Sequence, residues 1–455
     1  MLASDPRRIT DSSVVPEVVT LSLARRADRF PDRTAVVDIS EERLYAPAET
    51  IHEDRVSYAE LSRLADATAD RLAELGIDAG DTVCLVTRNR VASLALFFAC
   101  HRLGATFAPV SHRLTPVTVE RPFEVLEPAL VVSESAQRDL VRSMPFDRTV
   151  TLSELAVADV ETDADRSSRT ASSDGVDPRV GDDQTDADRP LLLLHGDGGR
   201  PIAAYSARSL EWNCIATLVT WGLSPRDTVP LVSPLSAHDG LVRVALPTLY
   251  AGGRLLLDRA FDPGDTLTAI ESEEATLFAG RTAAFRDLAA ESKFPEAADS
   301  LERAFPDASV PADVLEPYRA HEIPIARTYG RLECPIALSQ TGTDTAASAG
   351  TDADSLGKPV PDCRVKLVAD GSDGDPLEGA GTGQLALSGP ILSDGYVGDA
   401  DTDDDVDAGF GTGDRTNEKP DDTADRGRFA DGWFDTGEPF RRDETGCYYR
   451  VDNDR

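Results

Sequence analysis

The chain has 455 residues, 41% of them hydrophobic, which allows two to four domains and a sizeable buried core. Its 46 Lys and Arg stand against 81 Asp and Glu, a formal net charge of −35. That balance excludes a default nucleic-acid binder and an anionic membrane surface as partner, because both require a basic face.

Only four of the basic residues are lysine: Lys293, Lys358, Lys366 and Lys419. An Asp-rich, Lys-poor chain suits molar salt, where the Debye length falls to about 3 Å and self-repulsion is screened. The composition therefore points to an extreme halophile. The first 13 residues are polar with no apolar core, so they are not expected to act as a secretory signal. The longest apolar run, 91–100, is too short to span a bilayer, so a cytoplasmic location is expected. The six cysteines form no C-x-x-C pair and read as buried free thiols.

In chain order, Leu61, Leu64, Ala65, Leu72 and Leu75 recur at helical spacing, and Gly76 stops that helix. The β-branched run 82–87 predicts a buried strand. Helix 90–103, strand 105–110, helix 116–126 and strand 129–133 follow, Pro122 weakening the last helix. Residues 156–189 are Asp, Ser, Thr, Gly and Arg with almost no large apolar residue, and read as an acidic disordered linker. Segments 341–354 and 398–430 read as similar insertions in surface loops. Alternation resumes at Pro190 with strand 191–194, a Gly-rich turn and a helix at 207–221. Strands follow at 228–232, 253–257 and 276–278, with helices at 240–250 and 281–291. After about residue 355 only short strands remain, at 364–368, 383–388, 396–397 and 447–451.

Four segments carry candidate chemistry. The first is Leu191-Leu-Leu-Leu-His195-Gly-Asp-Gly-Gly-Arg-Pro201, a strand entering a Gly-rich turn, where backbone N–H groups can form an anion nest. A plain turn is an equal reading of that segment alone. The second is Thr328-Tyr-Gly-Arg-Leu-Glu-Cys-Pro335, whose Glu333 by itself reads as a surface carboxylate. The third is Gly383-Gln-Leu-Ala-Leu-Ser-Gly-Pro-Ile-Leu-Ser-Asp-Gly-Tyr396. The fourth is Gly432-Trp-Phe-Asp-Thr-Gly-Glu438, followed by Asp443-Glu-Thr-Gly-Cys-Tyr-Tyr-Arg-Val451.

In this order and spacing the four segments resemble the adenylate-forming superfamily of acyl-CoA synthetases, adenylation domains and luciferases. Val56-Ser-Tyr-Ala-Glu-Leu61 and Asp81-Thr-Val-Cys-Leu-Val86 look like its opening. The resemblance implies an α/β fold: two doubly wound α/β subdomains plus a small β-barrel-like subdomain. On this chain those are expected at 1–155, 190–345 and 355–455. It implies ATP or AMP with Mg²⁺, a carboxylic acid substrate, an acyl-adenylate intermediate and coenzyme A as acceptor.

The resemblance also implies roles. His195, Gly196, Asp197, Gly198, Gly199 and Arg200 stand at the phosphate loop. Tyr329 and Gly330 stand at the adenine platform, Glu333 at the catalytic magnesium ligand and Glu438 at the ribose-gripping carboxylate. Asn453, or Arg455 after a register shift, stands near a ribose-contacting arginine. His238 is near the gate of the acyl pocket, and is equally read as a partly buried histidine. The family's pocket segment, Phe305-Pro-Asp-Ala-Ser309 here, is too altered to indicate an acyl substrate.

Several positions depart from the pattern. Ile202 stands where the family has a phosphate-loop lysine, and Asp197 and Gly198 where it has hydroxyl donors. Leu332 replaces the threonine before Glu333. His195 and Arg200 are the expected sources of compensating charge, and Ile202→Lys with Asp197→Thr is expected to restore the phosphate grip. The sequence stops where the family's C-terminal domain, with its second lysine, would begin. The alternatives are a catalytically impaired homologue that binds a nucleotide or acyl ligand, and one half of a split ligase completed by a separate C-terminal domain chain.

Overall fold

The computed structural model describes residues 21–40, 55–144, 146, 148–156, 189–341, 354–369, 376–398 and 428–451. The expected linker at 156–189 and insertions at 341–354 and 398–430 lie almost wholly outside the described residues.

The helix Tyr58–Glu74 starts at a reciprocal cap. Ser57 Oγ accepts from the Glu60 N–H, and the Glu60 carboxylate accepts from the Ser57 N–H. Leu61, Ala65, Ala69 and Leu72 are buried, and Gly76 at φ +72° ends the turn as expected. The strands Thr82–Thr87, Thr106–Ser111 and Leu130–Ser133 pair in parallel, with Thr82–Thr87 in the middle. Their unbroken apolar runs fit a sheet covered on both faces. Helix Val91–Leu103 is apolar on nearly all sides and packs into the core, with Phe97 edge-on to Phe107 at 5.9 Å. The next helix is shorter than expected, Glu120–Leu126. Pro122 falls in its first turn, where a missing N–H breaks no bond. Residues 116–119 instead form a turn held by Thr115 and Thr118, each hydroxyl accepting from the other's N–H.

The sheets cross the division at 155 and 190. Strands Pro190–His195 and Ile202–Ser206 join the sheet of residues 82–151, the first parallel to Thr106–Ser111 and the second antiparallel to the first. Gly395–Tyr396 caps the same edge, giving seven strands. Conversely, Thr34–Asp38 lies parallel to Arg254–Leu257 in a second, four-stranded sheet with Thr228–Leu231 and Arg55–Ser57. Leu277–Gly280 and Arg303–Pro306 form a parallel pair. The end of the chain is antiparallel: Arg364–Val368, Gly381–Ser388, Trp433–Arg442, Arg428–Ala430 and Tyr448–Arg450.

The helix expected at 240–250 is a π-helical stretch, Leu241–Ala245, running into an α-helix, Leu246–Ala251. Such wide turns re-aim side chains and often mark functional sites. Among the described residues no helix is long and apolar enough to cross a membrane. All six cysteines are unpaired, and five are buried.

Candidate functional site

The Gly-rich turn joins two strands of a hairpin, with His195 opposite Ile202. The helix lies where expected, at Ala207–Trp221, but an unexpected second strand, Ile202–Ser206, stands between it and the turn. The short apolar stretch Ile202–Ser206 sets this difference, because its residues complete a buried antiparallel pair. The turn closes on itself: Gly196 N–H donates to Pro201 O at 2.9 Å, and Gly199 N–H to Gly196 O at 2.9 Å. Gly199 has φ +89°, and a Cβ there would meet Pro122 Cδ and Thr118 O at 3.0 Å.

Neither expected cation of this turn faces an anion nest. His195 is 8% exposed. Its Nε2 accepts from the Ser111 N–H at 2.9 Å, and its Nδ1–H donates to Gly196 O at 2.7 Å. Burial lowers its pKa, opposed by that bond and by Asp197, so the ring is neutral near pH 7. Arg200 points outward, with Nη2 2.8 Å from the Glu124 carboxylate and Nε 3.1 Å from Arg121 O. Asp197 and Gly198 are exposed at the tip, and Ile202 is 2% exposed. The turn's own side chains therefore offer no positive charge to a phosphate, the nearest guanidinium being that of Arg121, whose Nη1 would lie 3.7 Å from a Cβ at Gly198.

The remaining expected residues converge. Tyr329 ends the strand Thr328–Tyr329; it is 4% exposed and meets Phe440 edge-on at 5.0 Å. Burial drives its hydroxyl pKa well up. Gly330 is required by crowding, since a Cβ would lie 2.0 Å from Pro335 O. The turn that follows buries Glu333 to 2% exposure. Tyr396 Oη donates to Glu333 Oε1 at 2.5 Å, and Arg331 Nε donates to Oε2 at 3.4 Å. Glu438, on strand Trp433–Arg442, pairs through Oε1 with Arg331 Nη1, and its Oε2 lies 3.4 Å from Arg450 Nε. Its N–H donates to Thr436 Oγ1 at 3.1 Å. Two carboxylates and two guanidinium groups thus balance in one cluster.

Arg331 is the residue that sequence reasoning passes over. The only signal was a basic side chain two positions before the expected acidic ligand. Burial works against its charged form, but Tyr329, Glu333 and Glu438 outweigh that and raise its pKa above the ordinary value. The cluster also fails as a divalent-cation site. Both Glu333 oxygens are engaged, one of them by a cation that would repel a dication brought beside it. Among the described residues no group of three or more His, Cys, Asp or Glu side chains is arranged to hold a metal.

His238 precedes the π-helical stretch and is partly exposed. Burial lowers its pKa to about 4, with Asp239 opposing, so it is a neutral ring at neutral pH. It is tied to the Tyr-Gly turn through its own helix, for Arg243 Nε donates to Pro335 O at 2.6 Å and Nη1 pairs with Asp307 at 3.1 Å. The hairpin reaches the same turn, since Tyr205 Oη donates to Leu332 O. Asn453 and Arg455 lie outside the described residues. A cavity of about 560 Å³ beside Trp221, Phe305 and Lys358 contains none of these groups.

The sequence pattern of the family described as AMP-binding enzyme matches residues 23–397. A feruloyl-CoA synthase from Amycolatopsis sp is 29% identical over 401 residues, covering 87% of this chain and 73% of that protein. An indoleacetate–CoA ligase from Aromatoleum aromaticum is 30% identical over 412 residues, with the same coverages of 87% and 73%. The solved structure of O-succinylbenzoate coenzyme A synthetase from Bacillus subtilis in complex with AMP superimposes with a TM-score of 0.72 at 18% identity, covering 95% of this chain and 98% of that one.

Proposed function

Because the chain belongs to the AMP-binding enzyme family, whose relatives here are CoA ligases, we propose that it binds an adenine nucleotide and activates a carboxylic acid as its adenylate for transfer to coenzyme A. The observation that carries this reading is the convergence of Tyr329, Glu333 and Glu438 from two chain segments onto one cluster. Tyr329 and Gly330 present the adenine platform, backed by Phe440. Glu438 accepts from the ribose hydroxyls, and the exposed tip of the turn, the backbone of Asp197 and Gly198, faces the phosphates, the N–H groups of Gly196 and Gly199 being spent within the turn. His238, as a neutral imidazole, borders the acyl group. The acids named for the relatives all carry an aromatic ring, so an aryl-substituted carboxylic acid is the substrate class. With its acidic, Lys-poor composition the chain is read as working in a salt-rich cytoplasm.

The chemistry is slow on this reading. His195 is neutral, Arg200 is paired with Glu124 and Ile202 is buried, so the turn stabilises little of the charge that develops on phosphorus. Losing one such donor costs about 10²–10³ in rate. Calorimetry in molar KCl tests the site: AMP is expected to bind within about tenfold of ATP. Pyrophosphate exchange with arylcarboxylic acids tests the chemistry and is expected to be weak but measurable. A cooperatively folded chain that takes up no AMP overturns the reading.

A further inference from the structure

The cluster around Arg331 carries an inference that rests on the nucleotide-binding reading and goes beyond it. We propose that the Arg331 guanidinium replaces a divalent cation in this chain, so that ATP is taken up without magnesium.

Three observations support this. First, Arg331 is locked in place with its side chain only 16% exposed. It donates to Glu333, to Glu438 and to Thr436 O at 3.3 Å, and its guanidinium lies 5.9 Å from the Phe434 ring centre. Second, it contacts the two carboxylates expected to serve the metal and the ribose, which are 105 residues apart and 3% and 18% exposed. Without Arg331 only Arg450, 3.4 Å from Glu438 Oε2, would offset these buried, mutually repelling charges. Third, Mg²⁺ demands near-octahedral oxygen ligands, whereas the oxygens of Glu333 are held by Tyr396 and Arg331. A guanidinium has the opposite fit. It is always charged, needs no dehydrated coordination sphere and presents a planar fork suited to carboxylate and phosphate oxygens.

The test is calorimetric titration of ATP into the full chain in molar KCl, with EDTA or with excess MgCl₂, for the wild type and for Arg331→Leu. AMP is titrated as control. The wild-type ATP affinity is expected to change by less than about threefold between the two conditions. Arg331→Leu is expected to lose at least about tenfold in EDTA and to recover with magnesium, because Glu333 is then released to a metal. Arg331→Lys keeps a cation and is expected to stay indifferent to magnesium. Should Arg331→Leu fail to melt cooperatively, the wild type and Arg331→Lys decide between them. Wild-type binding that improves tenfold or more with magnesium overturns the proposal, as does a folded Arg331→Leu as indifferent as the wild type. If AMP does not bind in either condition, the nucleotide reading itself fails. If AMP binds while ATP requires magnesium, only the present inference fails.

Discussion

Tyr396 donates its hydroxyl to Glu333 at 2.5 Å and so fastens the edge strand of the seven-stranded sheet to the turn that carries the acidic cluster. Its ring meets Phe429 edge-on at 5.3 Å, a contact that phenylalanine would keep. Tyr396→Phe therefore isolates the hydroxyl. A hydrogen bond to a charged, buried carboxylate is worth about 1.5–3 kcal/mol, and the variant should lose that much in denaturant titration. A loss below about 0.5 kcal/mol would show that Arg331 alone satisfies Glu333.

Ile202 reverses an expectation drawn from sequence. It is 2% exposed and packs with Val86, Val110, Phe123 and Leu193 beneath the hairpin. A lysine there would bury an unpaired ammonium group before it could reach a phosphate. Ile202→Lys should lower stability by about 2–5 kcal/mol, read by thermal melting in molar salt, rather than strengthen ATP binding. A variant as stable as the wild type, with tighter ATP binding, would show that the side chain escapes the core.

Asp258 gives a pH signature. It is 4% exposed, and burial raises its pKa to about 6, opposed by the Asp262 N–H at 2.9 Å. Between roughly pH 4 and 6 the native state holds a proton that the unfolded chain has lost, so stability falls as pH rises through that window. Above pH 6 the full cost is present. Asp258→Asn keeps the acceptor and removes the charge. It should be more stable than the wild type at pH 7.5, by up to about 3 kcal/mol, with the difference vanishing near pH 4. A difference independent of pH would exclude titration of Asp258 as its cause.

The formal charge of −35 predicts a steep dependence on salt. Melting temperature should rise strongly between roughly 0.1 M and 2 M KCl as the Debye length shrinks from about 10 Å to under 3 Å. A melting temperature flat across that range would remove the composition argument for a halophile.

Much of the fold was legible because burial writes itself into local pattern. The run Thr82–Thr87 reads as a buried strand and is one. The helix after Ser57 shows both its cap and its apolar spacing. The strand Ile202–Ser206 was not legible. Five residues after a Gly-rich turn fit a helix approach as well as a hairpin, and only their pairing with Pro190–His195 separates the two. The positions of Tyr329, Glu333 and Glu438 were readable from motif spacing, but their partners were not.

By itself, the sequence determined the alternation of apolar strands and helices, the family and the places where its motifs depart from the pattern. Those follow from residue identity and local periodicity, which the chain carries along its length. Only the tertiary structure decided that His195 turns inward as a neutral ring, that Arg200 pairs outward with Glu124, and that Arg331 spans Glu333 and Glu438. A side chain's charge is fixed by its type, but what that charge does depends on which distant groups the fold brings within a few ångströms and how much water it leaves between them.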